Sequence, residues 1–399
     1  MYSKFRWFVL FVMFIVTAST SLILIAPVTI VDSISSSSHL APPTIITASM
    51  STFNLFIVLS VMAGGILVDK FGVTKIYVLC LALVICGNVV MANLGNEVWG
   101  IFLSRAFQGL GTGPIMVSIT LVARQWFKQN EHGIVTGLQG MAVSIGIAIG
   151  FVLVPRLVTY VEDWGTVFYY LSLINLTGIV LTLIVIFCPK LEPVELDVPS
   201  PMQQTATEFK LLQPLVLIGV VSLFCSTWLQ QSVNSVGAGF IGTELGLGQI
   251  HGADLMFYYS IAYAIGSPLG GAVAGIWLKG QKDNLVILVC FLISAIFSFV
   301  ITQYTETAGL IICLLILGLF QSFISPITLS FIARTYPKEV IGKVSGFTMM
   351  FNFAAGILSP YACALLLSTL GTYSSSFIAM ITVSIIGGLV GFKLKVKNN

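Results

Sequence analysis

The stretch SRAFQGLGTGP (104–114) sets a guanidinium, Arg105, and an amide, Gln108, one helical turn apart inside a run from 99 to 123 that carries no other charge. A guanidinium is a rigid fork of N–H donors with no acceptor, so its chemistry is recognition of a carboxylate, a phosphate or backbone carbonyls. An arginine inside a bilayer costs about 2.5 to 3.5 kcal/mol on insertion scales. Its side chain must therefore face water, an anion or carbonyls within a helix bundle, not lipid. Three uses stay open: binding an anionic solute, pairing with a carboxylate during proton movement, and bonding carbonyls freed near the glycines and Pro114.

Uncharged polar residues form the second group able to do chemistry. They are Ser19 and Thr20 within TASTS (17–21), Trp228, Gln230, Gln231 and Asn234 within STWLQQSVNS (226–235), then Gln321 and Asn352. Gln230 and Asn234 share one helix face by their spacing. Amides buried in hydrocarbon without partners are costly, which favours a wet cavity wall, with interhelical hydrogen bonding as the alternative. Tyr259 and Tyr263 share a face as a stacking or gating pair, or as packing residues. His39, His132 and His251 are read as loop residues, and the 7 cysteines show no metal-ligand spacing. No phosphate-binding loop, metal constellation or catalytic triad occurs, so neither ATP-driven transport nor enzymatic chemistry has a basis, and no cofactor or metal is expected.

The elements that position these residues follow from composition. With 57% hydrophobic and 8% charged residues and a mean hydropathy of +1.02, the chain reads as an integral membrane protein. Runs of about 20 apolar residues, enough to cross a hydrocarbon core of about 30 Å, recur along it. The expected spans are 7–31, 44–68, 76–95, 99–123, 134–155, 166–188, 212–237, 254–278, 285–303, 308–332, 343–367 and 374–392. The first is too long for a signal core and lacks a small-residue cleavage site, so it is read as an uncleaved helix. Arg105 then lies about 9 Å below the outer end of the fourth span, and the nearest acid, Asp32, sits at the outer rim. With both termini inside, every one of the 18 basic residues except Arg105 and Arg156 falls on the cytoplasmic side.

Between the sixth and seventh spans, CPKLEPVELDVPSPMQQTATEFK (188–210) reads as a cytoplasmic linker. ARQWFKQNEHGIVTG (123–137) is echoed by ARTYPKEVIGKVSG (333–346), each copy preceding the fifth span of its half. A duplicated six-helix unit is expected, with a central cavity where the parallel halves meet. GILVDKFGVTK (65–75) resembles the loop between helices 2 and 3 of the major facilitator superfamily, through Gly65, Leu67, Asp69, Lys70 and Gly72. RAFQGLGTG (105–113) is similar to that family's helix 4 pattern, and Gly109 and Gly113 on one face permit close packing with a neighbour.

The resemblance implies an all-α membrane protein of twelve transmembrane helices in two pseudo-symmetric six-helix halves, residues 1–188 and 212–399, joined by a linker at 189–211. It also implies helices 1, 4, 7 and 10 as the cavity lining. The implied function is secondary active transport of a small organic solute, anionic or neutral rather than cationic, by alternating access in a bacterial-type inner membrane. Coupling to a proton or ion gradient, a monomeric chain in the lipid bilayer and no nucleic-acid partner complete the expectation. The start RWFVLF (6–11), with Ala26 and Pro27, resembles organic-anion members, without their helix 1 arginine. Polyspecific drug efflux is the alternative; it usually relies on a buried acid, and none falls in mid-span. A non-transporting sensor on the same fold is a further one.

Unpaired N–H groups at a helix start favour an anion, and the resemblance implies that Asp69 faces the helix 11 start near Gly342 and Arg124, latching the inside face; a turn with ordinary interfacial charges is the alternative. Asp69→Asn is therefore expected to raise cysteine labelling from the cytoplasmic side, and unchanged labelling at several single-cysteine reporters would remove the latch.

Overall fold

A computed structural model describes residues 5–127, 132–186, 212–273, 282–336 and 338–394. Among these the chain is helical nearly throughout. In order come α1 (Arg6–Thr29), α2 (Val31–Ser38), α3 (Pro42–Ile46), α4 (Thr52–Phe71), α5 (Val73–Leu94), α6 (Val98–Trp126), α7 (His132–Val161) and α8 (Trp164–Ile186). They are followed by α9 (Pro214–Gly239), α10 (Gln249–Ala272), α11 (Asp283–Val300), α12 (Thr307–Thr335), α13 (Lys338–Leu370) and α14 (Ser374–Gly391). A π-helical turn, Thr47–Ser51, joins α3 to α4 so that the two continue as one rod.

Ten of these segments are long and apolar enough to cross a membrane. Outward faces confirm what surrounds them. On α8, Leu173, Leu176, Val180 and Leu183 are exposed, and on α11 so are Leu285, Val289, Leu292 and Ile296. Each set recurs at helical spacing, forming one apolar stripe on a bundle's exterior. In water such stripes would drive aggregation; in a bilayer they meet hydrocarbon.

Packing inside the bundle is set by small residues. Helix α6 lies against α4 and α5, where a Cβ added at Gly109 would stand 2.6 Å from the Phe53 carbonyl oxygen and one at Gly111 2.4 Å from that of Cys80. Helix α1 meets α7 the same way, with Gly146 so close that a Cβ would lie 2.1 Å from the Ala18 oxygen. Helices α9 to α14 pack chiefly on one another, and α7 with α10, α13 with α3 and α4, and α1 with α9 connect them to the rest.

Several expectations change. His132 opens α7 and His251 lies in the first turn of α10, so neither is a loop residue; His39 is the left-handed residue that ends α2. Helix α13 begins at Lys338, which carries Gly342 into its second turn, away from the unpaired N–H groups that an Asp69 carboxylate would need. The side chains of Asp69 and Arg124, and the linker at 189–211, lie outside the described residues.

Because a side chain at 146 would collide with backbone and not with the end of a flexible side chain, Gly146→Val is expected to destabilise the α1–α7 seam by roughly 1 to 3 kcal/mol, read as a lower thermal midpoint in detergent. At Gly140 the nearest atom to an added Cβ is the Ser267 hydroxyl at 3.7 Å, so Gly140→Ala is expected to leave the midpoint unchanged.

Candidate functional site

Arg105 is fully buried in the second turn of α6. Its Nη1 donates to the Ile23 carbonyl of α1 at 2.8 Å and to Gln108 Oε1 at 2.9 Å. Gln108 is turned to present that oxygen because its Nε2 donates to Asn88 Oδ1 on α5 at 2.8 Å. The guanidinium carbon stands 5.5 Å from the ring centre of Phe53 at the head of α4, a cation–π distance. Four helices thus hold one cation.

Only half of the guanidinium is used. Nε and Nη2, which share the edge opposite the tied nitrogen, have no hydrogen-bond partner and are buried. No acidic side chain among the described residues pairs with Arg105. That free edge is the one whose two parallel N–H groups match the two oxygens of a carboxylate.

Asn88 and Phe53 were not singled out from sequence. Asn88, beside Gly87 in the otherwise apolar middle of α5, carried the signal, since an amide buried there needs a partner. Gly87 is required as well: a Cβ there would stand 2.5 Å from Gln108 Cγ.

The remaining candidates fall into other groups. Ser19 and Thr20 are buried, but their hydroxyls bond back to Val16 and Thr17 within α1. On α9, Trp228 stacks obliquely on Phe224 with centroids 5.6 Å apart, and Gln230 is half-buried. Gln231 and Asn234 each leave a buried side-chain oxygen without a partner. Gln321 accepts from Tyr259 at 2.7 Å, its Nε2 left unpartnered, while Asn352 accepts from Thr227. Tyr259 and Tyr263 lie with ring centroids 6.1 Å apart. Among the described residues no hydrogen bond joins this α9–α10–α12–α13 group to the Arg105 group.

The residues expected to control conformation sit at both packing and turn positions. Gly109 and Gly113 seat α6 on α4, Gly65 faces open space, and Gly72 takes φ +85°, which only glycine adopts without strain. Lys70 is exposed with its ammonium 5.3 Å from the Phe71 ring centre.

At the other end of the bundle a closure appears that sequence reading missed. Arg156 of α7 grips Asp254 of α10 through Nη1–Oδ1 at 2.5 Å and Nη2–Oδ2 at 2.9 Å. Beside it Gln249 Nε2 donates to the Thr29 carbonyl at 2.9 Å, Ser33 donates to Gln249 Oε1 at 3.3 Å, and Thr243 donates to Asp32 at 3.1 Å. Burial pushes the nearby Tyr373 phenol up to about 12, with Asp32 and Glu244 adding to the shift.

A family model described as Major Facilitator Superfamily matches residues 8–248 and again 216–399. The chain belongs to the major facilitator superfamily. Members of this superfamily are transporters, not enzymes. Similar proteins include the probable galactarate/D-glucarate transporter GudP of Bacillus subtilis (strain 168), 22% identical over 359 residues, covering 82% of this chain and 78% of the relative. The hexuronate transporter of the same organism is 21% identical over 356 residues, covering 86% and 82%. Among solved structures, a bacterial homologue of the human lysosomal transporter Spinster, in an inward-facing and occupied conformation, superposes with a TM-score of 0.72 at 12% identity, covering 98% of this chain and 95% of that one. The superfamily member described here thus has the fold of that transporter.

Removing the acceptor at Asn88 strands Gln108 Nε2 in a buried site. Asn88→Leu is expected to cost about 1 to 3 kcal/mol, seen as a reduced thermal midpoint; an unchanged midpoint would show that the network does not hold Arg105.

Proposed function

We propose that this superfamily member is a secondary transporter of a carboxylate-bearing, hydroxylated organic anion of the sugar-acid class. The single observation that carries this reading is the buried, unpartnered Nε–Nη2 edge of Arg105. A buried cation without an acidic partner is costly, and a bound carboxylate offsets that cost while accepting both N–H groups. Relatives named for galactarate, D-glucarate and hexuronate support the same class.

The proposed architecture is twelve spans in two six-helix halves, 1–188 and 212–399, with both termini inside and one chain forming the whole pathway. Helices α6 and α10, of 29 and 24 residues, complete the ten more apolar spans. The membrane is the plasma membrane, or inner membrane, of a bacterial cell. The bonds from Arg156, Gln249, Ser33 and Thr243 then close the outer face, so the described conformation is shut to the outside. Alternating access requires them to break, and the solute or an ion gradient supplies the bias.

Equilibrium binding of D-glucarate, a hexuronate and an uncharged hexose to purified protein tests the substrate class. Binding of the acids and not the hexose is expected. Arg105→Lys keeps the charge without the fork and is expected to weaken acid binding roughly 10- to 100-fold, the loss of charge-assisted bonds. Wild-type affinity in folded Arg105→Lys and Arg105→Ala would remove the substrate role.

The outer closure carries its own expectation. Asp254→Asn should increase labelling from outside of a cysteine placed by Ala238→Cys, a position buried at the outer end of α9. Unchanged labelling would show that the ion pair does not hold the face shut.

A further inference from the structure

A cavity of about 300 Å³ opens among α1, α6, α8 and the turn between α4 and α5, away from Arg105. Its walls are mainly aliphatic, including Val12, Met13, Val122 and Val185. Two of the three hydroxyls in its lining are already spent: Tyr77 is hydrogen-bonded to Ser118 at 2.5 Å, and Thr182 donates to the Gly178 carbonyl at 2.7 Å; the third, Thr74, stands next to Lys75 at the start of α5. Apart from Thr74 and the Trp126 indole N–H, the walls offer a polar solute few free groups. A volume of this size lies at the lower end of small-ligand pockets, large enough for a chain of methylenes.

The rim has the opposite character. Lys75 lines the opening, is exposed, and has no partner among the described residues. The Lys70 ammonium sits over Phe71, another lining residue, and Arg6, one turn before the lining Val9, stands over Trp7 and Phe127. Cations beside aromatic rings at the end of an apolar span mark a headgroup level. Basic pockets between transmembrane helices on the cytoplasmic side suit anionic headgroups. An occupant must therefore combine an aliphatic body with an anionic end.

We propose that this cavity is a lipid site, holding an acyl chain of one anionic phospholipid with its headgroup phosphate on Lys75. The leaflet is the cytoplasmic one by the orientation proposed above; the chemistry of the cavity does not depend on it. A lipid seated here wedges against α1 and α6, the helices that hold Ile23 and Arg105, and is placed to influence solute binding without touching the solute.

Native mass spectrometry of delipidated full-length protein, titrated with phosphatidylglycerol, phosphatidylcholine or inorganic phosphate, tests the site. Wild type is expected to retain one phosphatidylglycerol at least ten times more tightly than phosphatidylcholine, with no effect of inorganic phosphate. Lys75→Gln should erase that preference while leaving a weak adduct, and Val185→Phe, which fills the cavity from a half-buried position, should weaken both lipids. Single-peak elution of each variant serves as the folding control, and if Val185→Phe fails it, Val12→Phe replaces it. Equal retention of the two lipids by wild type, unchanged preference in Lys75→Gln, undiminished retention in the filled variant, or displacement by inorganic phosphate would each overturn the proposal. Sugar-acid binding is measured separately, so failure of the lipid site leaves the Arg105 reading intact and the reverse.

Discussion

The charge of Arg105 is the constraint around which α1, α4, α5 and α6 are arranged. A guanidinium inside an apolar bundle must be surrounded by acceptors, and the chain supplies them from α1, as the Ile23 carbonyl, and from α6 itself, as Gln108. Gln108 can turn its oxygen toward the cation only because Asn88 takes its amide. Close approach of α5 and α6 depends in turn on Gly87 and Gly111, where a side chain would strike the facing helix. The glycines are therefore part of the electrostatics: they bring the dipoles within reach of the charge.

The two basic residues that the charge pattern set apart are each fixed by neighbouring groups. Arg105 is sheltered from lipid by four helices, and Arg156 of α7 is held bidentately by Asp254 of α10. An acid from another helix fixes this exposed cation, and that same pair joins α7 to α10.

Much of the helical framework was legible in the sequence because long apolar runs bounded by charge have one solution in a bilayer. The runs at 7–31, 76–95 and 285–303 match α1, α5 and α11 to within a few residues. Boundaries drifted where a helix continues past the apolar run: Gln249 to Ala253 extend α10, and Lys338 to Gly342 extend α13. Among site residues, Arg105 and Gln108 stood out as polar groups one turn apart. Asn88 did not, because its partner lies 20 positions away on another helix, and which amide meets which is decided by the α5–α6 crossing. Ser19 and Thr20 show the opposite case: a short hydroxyl can satisfy itself on its own helix, and these two do.

The most direct measurement is a structure of the protein bound to D-glucarate. The account predicts one carboxylate with its two oxygens about 2.7 to 3.2 Å from Nε and Nη2 of Arg105, while Nη1 keeps the Ile23 carbonyl and Gln108. A bound anion held elsewhere, with the Nε–Nη2 edge turned onto protein carbonyls, would contradict it.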